Sequence, residues 1–235
     1  MRYLFVIVFF AITPYSQAQK LRIIHLTGNV YVYTTYNTYK GTRVSSNSMY
    51  VVTNAGIFLA DVPWDTTQFQ PLLDSIYARH NKQAIICIAT HSHADRTAAL
   101  EYYTKQGIKT FSSIHTDSLA KHTGEKRAAF LFTKDTVFNL GGYKIATFHP
   151  GHGHTADNIV LWLEKDKVLY AGCFIKSTDA KNLGNVADAD LTEWPASLER
   201  LKQRFPSPKF IIPGHDSWGD PRSIAHTLEL LKAGN

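Results

Sequence analysis

"AIICIATHSHADR", Ala84 to Arg96, decides how this chain is built. Its first half is a continuous apolar run, which reads as a fully buried strand. Its second half sets His91, His93 and Asp95 at alternate positions just past that strand. In an extended or gently turning segment, residues i and i+2 project to one side, so His91 and His93 can grip one cation. Asp95 falls at the start of the following helix, where the helix dipole favours a carboxylate, and it can serve the same metal or an adjacent one. Taken alone, the pattern also fits polar residues that cap a helix.

Outward from this point, strand-like runs cover residues 22–39, 48–62, 109–113, 135–150, 158–175 and 209–215. Turn signals at Asn54-Ala55-Gly56 and Gly141-Gly142 break them up. Helical spacing runs from Thr67 to Asn81 on Phe69, Leu72, Leu73 and Ile76. A second helix, Ala98 to Gln106, ends at Gly107; a third, Leu191 to Phe205, begins with Thr192 as its candidate N-cap; Ser223 to Ala233 is the last. The strands and helices come in two similar runs. Two half-domains, each a sheet with helices on its outer face, predict an α/β fold: a four-layer αββα sandwich with the site at one edge of the sheets. A Rossmann-like parallel sheet would need a Gly-rich phosphate loop, and no strand is followed by one.

Three more metal donors end strand-like runs: His154 in "HPGHGHTADN", Cys173 in "LYAGCFIK" and His215 in "FIIPGHDSW". Loops at strand ends are where a rigid scaffold presents ligands. Imidazole, thiolate and carboxylate together are a zinc donor set. Six donors make two sets of three, each leaving positions open, which marks a catalytic centre rather than a closed structural one.

The termini and composition set the remaining bounds. The chain of 235 residues opens with Arg2, an apolar run to about Ile12, then Ser16 and Ala18 at the −3 and −1 positions of a signal-peptidase site. Residues 1–18 read as a secretory signal peptide, leaving one domain over 19–235. The apolar run is too short to cross a bilayer, which takes roughly 20 residues, and no cysteine near the cleavage point offers a lipid anchor. The formal charge of +6 is spread along the chain, without a block that would read as nucleic-acid or membrane binding. Two cysteines in an exported protein invite a disulfide, but Cys87 lies inside an apolar strand and Cys173 at a strand end, so a buried thiol and a ligand thiolate fit better.

The motifs "HSHADR", "GHGHTADN", "AGCFIKS", "LGNVADAD" and "PGHDSWG" resemble, in order, those of the class B (metallo-) β-lactamases, and most of all their first subclass. The resemblance covers the whole mature chain. It implies two Zn2+ per chain, His91, His93 and His154 holding the first and Asp95, Cys173 and His215 the second. It implies Asp95 and Asn185 as catalytic residues, Lys176 and Asn185 as substrate-binding residues, and Asp61, Arg96, Thr155 and Asp157 as residues that orient ligands and loops. The hairpin around "YVYTTYNTYKGTR" would be a mobile flap, its Tyr36 and Tyr39 covering substrate or simply packing a hairpin face. Many relatives in the wider superfamily read HxHxDH, the last histidine binding the second metal. Arg96 has no lone pair to give, so Cys173 supplies the missing donor.

The implied activity is hydrolysis of the β-lactam ring of penicillins and cephalosporins, with carbapenems as an expected third class, by a metal-bound hydroxide. That activity confers antibiotic resistance. A monomer in the periplasm, acting on a small molecule without nucleic acid or membrane anchor, is expected. The competing readings are a thioesterase or lactonase of the same fold and a non-catalytic exported zinc-binding protein. His152 is expected at the rim of the site, off the metal.

Overall fold

The computed structural model describes residues 21–234; the expected signal peptide and its cleavage point lie outside them. The first half holds β1 (Arg22–Thr27), β2 (Val30–Tyr39), β3 (Thr42–Val52), β4 (Ile57–Ala60), α1 (Phe69–His80), β5 (Ala84–Ile88), α2 (Ala94–Thr97), α3 (Leu100–Lys105), β6 (Lys109–Ser113), α4 (Ile114–Thr123) and β7 (Phe130–Phe132). The second holds β8 (Val137–Leu140), β9 (Tyr143–Phe148), β10 (Val160–Leu163), β11 (Val168–Gly172), α5 (Trp194–Arg204), β12 (Phe210–Pro213) and α6 (Ser223–Ala233). β1 to β7 form one sheet in chain order, and the other runs β12-β11-β10-β9-β8.

Alternation along the strands produces the layers, because successive side chains face opposite sides of a sheet. Val30, Val32, Met49, Val51 and Phe58 from the first sheet meet Ile145, Leu161, Leu163, Tyr170 and Ile212 from the second in a central core. The opposite face of the first sheet, with Tyr33, Tyr50, Leu59 and Cys87, is covered by Leu72 and Ile76 of α1 and by Leu100 and Tyr103 of α3. The opposite face of the second, with Val160, Leu169 and Ile211, is covered by Trp194, Leu198 and Leu201 of α5 and Ile224 of α6. The expected αββα sandwich is what forms.

Some local expectations change. Thr192 does not cap α5, which starts at Trp194; Asp190 Oδ1 accepts the backbone N–H groups of Thr192 and Glu193 at 3.0 and 2.9 Å. A carboxylate one turn earlier reaches both donors, which a threonine inside that turn cannot. Neither α4 nor β7 announced itself. α4 is capped by Ser113, whose Oγ accepts from Thr116 N, but its apolar residues are too sparse to form a stripe.

The two halves are fastened at the ends of β5, β11 and β12. Ile159 N donates to Thr90 O at 2.9 Å and Asn47 N to Gly214 O at 2.8 Å across the join, while Gly214 N donates to Gly172 O at 2.7 Å within the second half. The Asn47 side chain adds bonds to Pro213 O and Asp216 O. These are the strand ends from which the sequence-marked donors project.

Candidate metal centre

His91 follows β5, His93 is the N-cap of α2, and Asp95 is the second residue of that helix. His154 comes from the loop after β9, Cys173 directly follows β11, and His215 lies two residues past β12. Donor atoms within 4.8 Å of one another form three overlapping groups: His91–His93–Asp95, His91–His154–Cys173 and Asp95–Cys173–His215. Sharing members, they join all six residues into one cluster. The rings of His91, His93 and His154 stand 4.8 to 5.1 Å apart and nearly perpendicular to one another. Cys173 Sγ lies 3.2 Å from His215 Nε2, and His215 Nε2 lies 3.4 Å from Asp95 Oδ2.

The donors suit a divalent metal. His91 is 1% exposed, yet its Nε2 has no hydrogen-bond partner. An unsatisfied buried polar atom costs about 1–3 kcal/mol, and a metal bond would remove that penalty. Burial, and then the neighbouring His93, hold the His91 imidazole well below its ordinary range; burial, and then Lys176, do the same to His154. Both rings are therefore neutral, the form that ligates. Burial would raise Asp95, but the Arg96 guanidinium prevails and holds its carboxyl well below the usual range. Burial would lower His215, but Cys173 and Asp95 beside it raise it to about 10. Neighbours that attract and hydrogen-bond the protonated ring favour the charged form of an imidazole.

A buried arginine orients part of this set. Arg96 is 0% exposed. Its Nη2 donates to Cys173 Sγ and to Gly214 O, both at 3.0 Å, and stands 2.9 Å from Asp95 Oδ2. Its Nη1 donates to Asn47 O at 2.8 Å and sits 3.6 Å from Asp61 Oδ2. Asp61 accepts in turn from Thr90 N and Thr90 Oγ1 at 2.7 and 2.8 Å, and from the Tyr170 hydroxyl. Burial pushes the Asp61 carboxyl up to about 6 against the pull of Arg96, Tyr170 and Thr90. Gly214 makes room for this packing: a Cβ there would meet Arg96 Nη2 at 2.6 Å and Cys173 Sγ at 2.7 Å.

A cavity of about 630 Å³ opens above the donors, lined by His93, Asp95, His154, Cys173 and His215 and by Lys176 and Asn185. Lys176 is buried, with its ammonium 5.3 Å from the centre of the Trp194 ring. Tyr39 lines the cavity, its ring 5.8 Å from that of Trp64. Tyr36 is not among the lining residues; the Arg43 guanidinium sits 3.9 Å from its ring centre. His152 is exposed and also off the cavity wall. Thr155 N is held by Asn158 Oδ1, and Asn158 Nδ2 reaches Gly151 O, so that asparagine shapes the His154 loop.

Asp188 carries no signal in the sequence, yet it reaches the cluster. Asp188 Oδ2 meets His93 Nε2 at 2.9 Å. With Nε2–H donating there, His93 Nδ1 is left as a lone pair facing His154 Nε2 at 3.2 Å. Asp188 stands three residues after Asn185, inside a motif already singled out, but a lone exposed aspartate in a loop gives no periodic signal.

An αββα sandwich with His, Asp and Cys donors gathered at the strand ends between its sheets defines a class of metal-dependent hydrolase. Residues 41–215 match the family model of the metallo-beta-lactamase superfamily. The chain is 42% identical over 216 residues to a metallo-beta-lactamase type 2 of Elizabethkingia meningoseptica, covering 92% of this chain and 87% of that protein. It is 37% identical over 230 residues to metallo-beta-lactamase IND-1 of Chryseobacterium indologenes, covering 97% and 96%. The solved metallo-beta-lactamase of Pontibacter korlensis superposes with a TM-score of 0.88 at 38% identity, over 92% of this chain and all of that one. The chain belongs to the metallo-β-lactamases.

Proposed function

We propose that this protein hydrolyses the β-lactam ring of penicillins, cephalosporins and carbapenems with two zinc ions. His91, His93 and His154 hold one, and Asp95, Cys173 and His215 the other. The observation that supports this reading best is the six-donor cluster, five of whose members line an open cavity beside a buried lysine. Zinc held by such donors acidifies water and polarises a carbonyl.

The chain's own residues bind and orient the substrate around that chemistry. Lys176 makes a charge-assisted contact with the carboxylate that β-lactams carry beside the ring. Asn185 donates its side-chain amide to the lactam carbonyl as negative charge develops there. Tyr39 and Trp64 offer an apolar wall to the substituents. Exported through the signal peptide of residues 1–18, the enzyme acts as a monomer in the periplasm and confers antibiotic resistance.

The test is hydrolysis of a cephalosporin and a carbapenem by the purified mature protein, before and after exhaustive chelation and after zinc is returned. Turnover should vanish with the metal and come back with it. Undiminished turnover in protein shown to be free of metal would overturn the proposal, as would no turnover of either substrate by the zinc-loaded protein.

A further inference from the structure

The β2–β3 hairpin changes character at one residue pair. Up to Thr35 and Ser46 the strands are buried; Tyr36 and Ser45 are half-buried; from Thr38 to Arg43 everything is exposed. Among the described residues, β1 supports β2 only as far as Arg22 opposite Thr34. The next backbone position along that edge is Tyr36, and a side chain takes it. Gln68 Oε1 accepts from Tyr36 N at 3.2 Å, and Gln68 Nε2 donates to Tyr36 O at 2.8 Å. A primary amide offers a donor and an acceptor, as a backbone residue does, so Gln68 bonds both the N–H and the carbonyl of Tyr36 as a paired strand residue does.

Gln68 is itself held firmly. It is 4% exposed and closes a 3-10 turn, Thr66–Gln68, in which the Asp65 side chain accepts from Thr67 N and the Asp65 carbonyl from Gln68 N. Phe69, directly after it, is buried in the core under α1. The same short segment begins at Trp64, which meets Tyr39 near the hairpin tip. Just inside the clamp, the hydroxyls of Thr35, Ser46 and Ser48 are buried with no hydrogen-bond partner.

We propose that Gln68 is a positioning residue that pins the hairpin at Tyr36, confining its movement to residues beyond that point and setting where Tyr39 lies over the cavity. The exposed end of a hairpin opens at little expense in free energy, and buried strands open only with the whole molecule. Gln68 fixes the boundary between those regimes. Only the kinetic arm of the test below rests on the proposed β-lactamase activity.

The variant Gln68→Met keeps the length and burial of the side chain and removes both bonds; Gln68→Glu keeps an acceptor for Tyr36 N and loses the donor. On the zinc-loaded mature protein, amide hydrogen exchange at Tyr36 and Ser45 and just inside them, at Thr34–Thr35 and Ser46–Asn47, should quicken by roughly tenfold or more in Gln68→Met, as expected for two lost bonds. Exchange of Met49–Val52 and Ile57–Ala60 should stay within about twofold, since those strands lie inside the clamp. KM for a bulky cephalosporin should rise severalfold, with kcat changed less and zinc content unchanged. Unaltered exchange in the hairpin of both variants would overturn the proposal. So would equal acceleration in β2, β3, β4 and α1, which would mean general destabilisation. If the wild type opened no β-lactam, the kinetic arm would fail with the proposed function, and the exchange pattern would still decide the role of Gln68.

Discussion

Arg96 carries no lone pair, yet it touches more of the site than any ligand does. One guanidinium reaches the Cys173 sulfur, the Asp95 carboxylate and the backbone of Asn47 and Gly214. It fixes Asp95 and Cys173, two of the three donors proposed for the second zinc. Cys173→Ser tests that set directly. A serine hydroxyl is not ionised at neutral pH, and two remaining donors are too few for a firm site, so zinc per protein should fall from about two towards about one. Metal analysis of the purified variant checks this, and a retained second zinc would remove Cys173 from the ligands. Asp188→Ala acts on the other set. Loss of the carboxylate frees His93 to flip or change tautomer, and zinc affinity should drop about 10–100-fold, the usual effect of losing such a partner. Competition against a chromophoric chelator reads it without any substrate. That these six side chains would cluster was legible because a metal site would need those residue types at strand ends. Asp188, Trp64 and Gln68 were not, because each acts through a contact between segments far apart in the chain.

At the scale of elements, legibility followed periodicity. α1 lies within the span expected from Phe69, Leu72, Leu73 and Ile76, of which Phe69, Leu72 and Ile76 are buried and Leu73 half-buried. β8 and β9 meet at the foreseen Gly141-Gly142 turn, where both glycines have positive φ and Leu140 pairs with Tyr143. Short elements left no such trace. β7 has three residues, two of them exposed, and exists because β6 offers it a parallel edge. α2 has four residues, three of them buried, so its burial reflects the site above it and not a helical stripe. The strand ends matter more to function than these omissions. β5, β11 and β12 all finish at the join between the halves, and each finishes one to three residues before a donor.

Across the whole molecule, the join between the sheets is polar where the core on either side is apolar. Asn47, Asp61, Arg96 and Tyr170 are buried there, contributed by both sheets and by α2. A buried carboxyl in such a place couples folding to pH. Asp61 titrates near 6 in the folded chain, against about 3.9 when unfolded. Between those values the folded state holds the proton more tightly, so stability falls as pH rises through the window and levels off above it. Two pH units at about 1.4 kcal/mol each amount to roughly 3 kcal/mol. Asp61→Asn removes the titration and keeps the side-chain oxygen that accepts from Thr90 N. Measured by denaturant unfolding of the metal-free proteins, since acid also strips metal from its ligands, the wild type should lose stability relative to the variant by up to that amount from about pH 4 to about pH 6. Above about pH 7 the difference should be flat. A difference that stays constant across the range, or one that grows in favour of the wild type, would mean that Arg96, Tyr170 and Thr90 keep the Asp61 carboxylate ionised in the folded chain as readily as water does in the unfolded one.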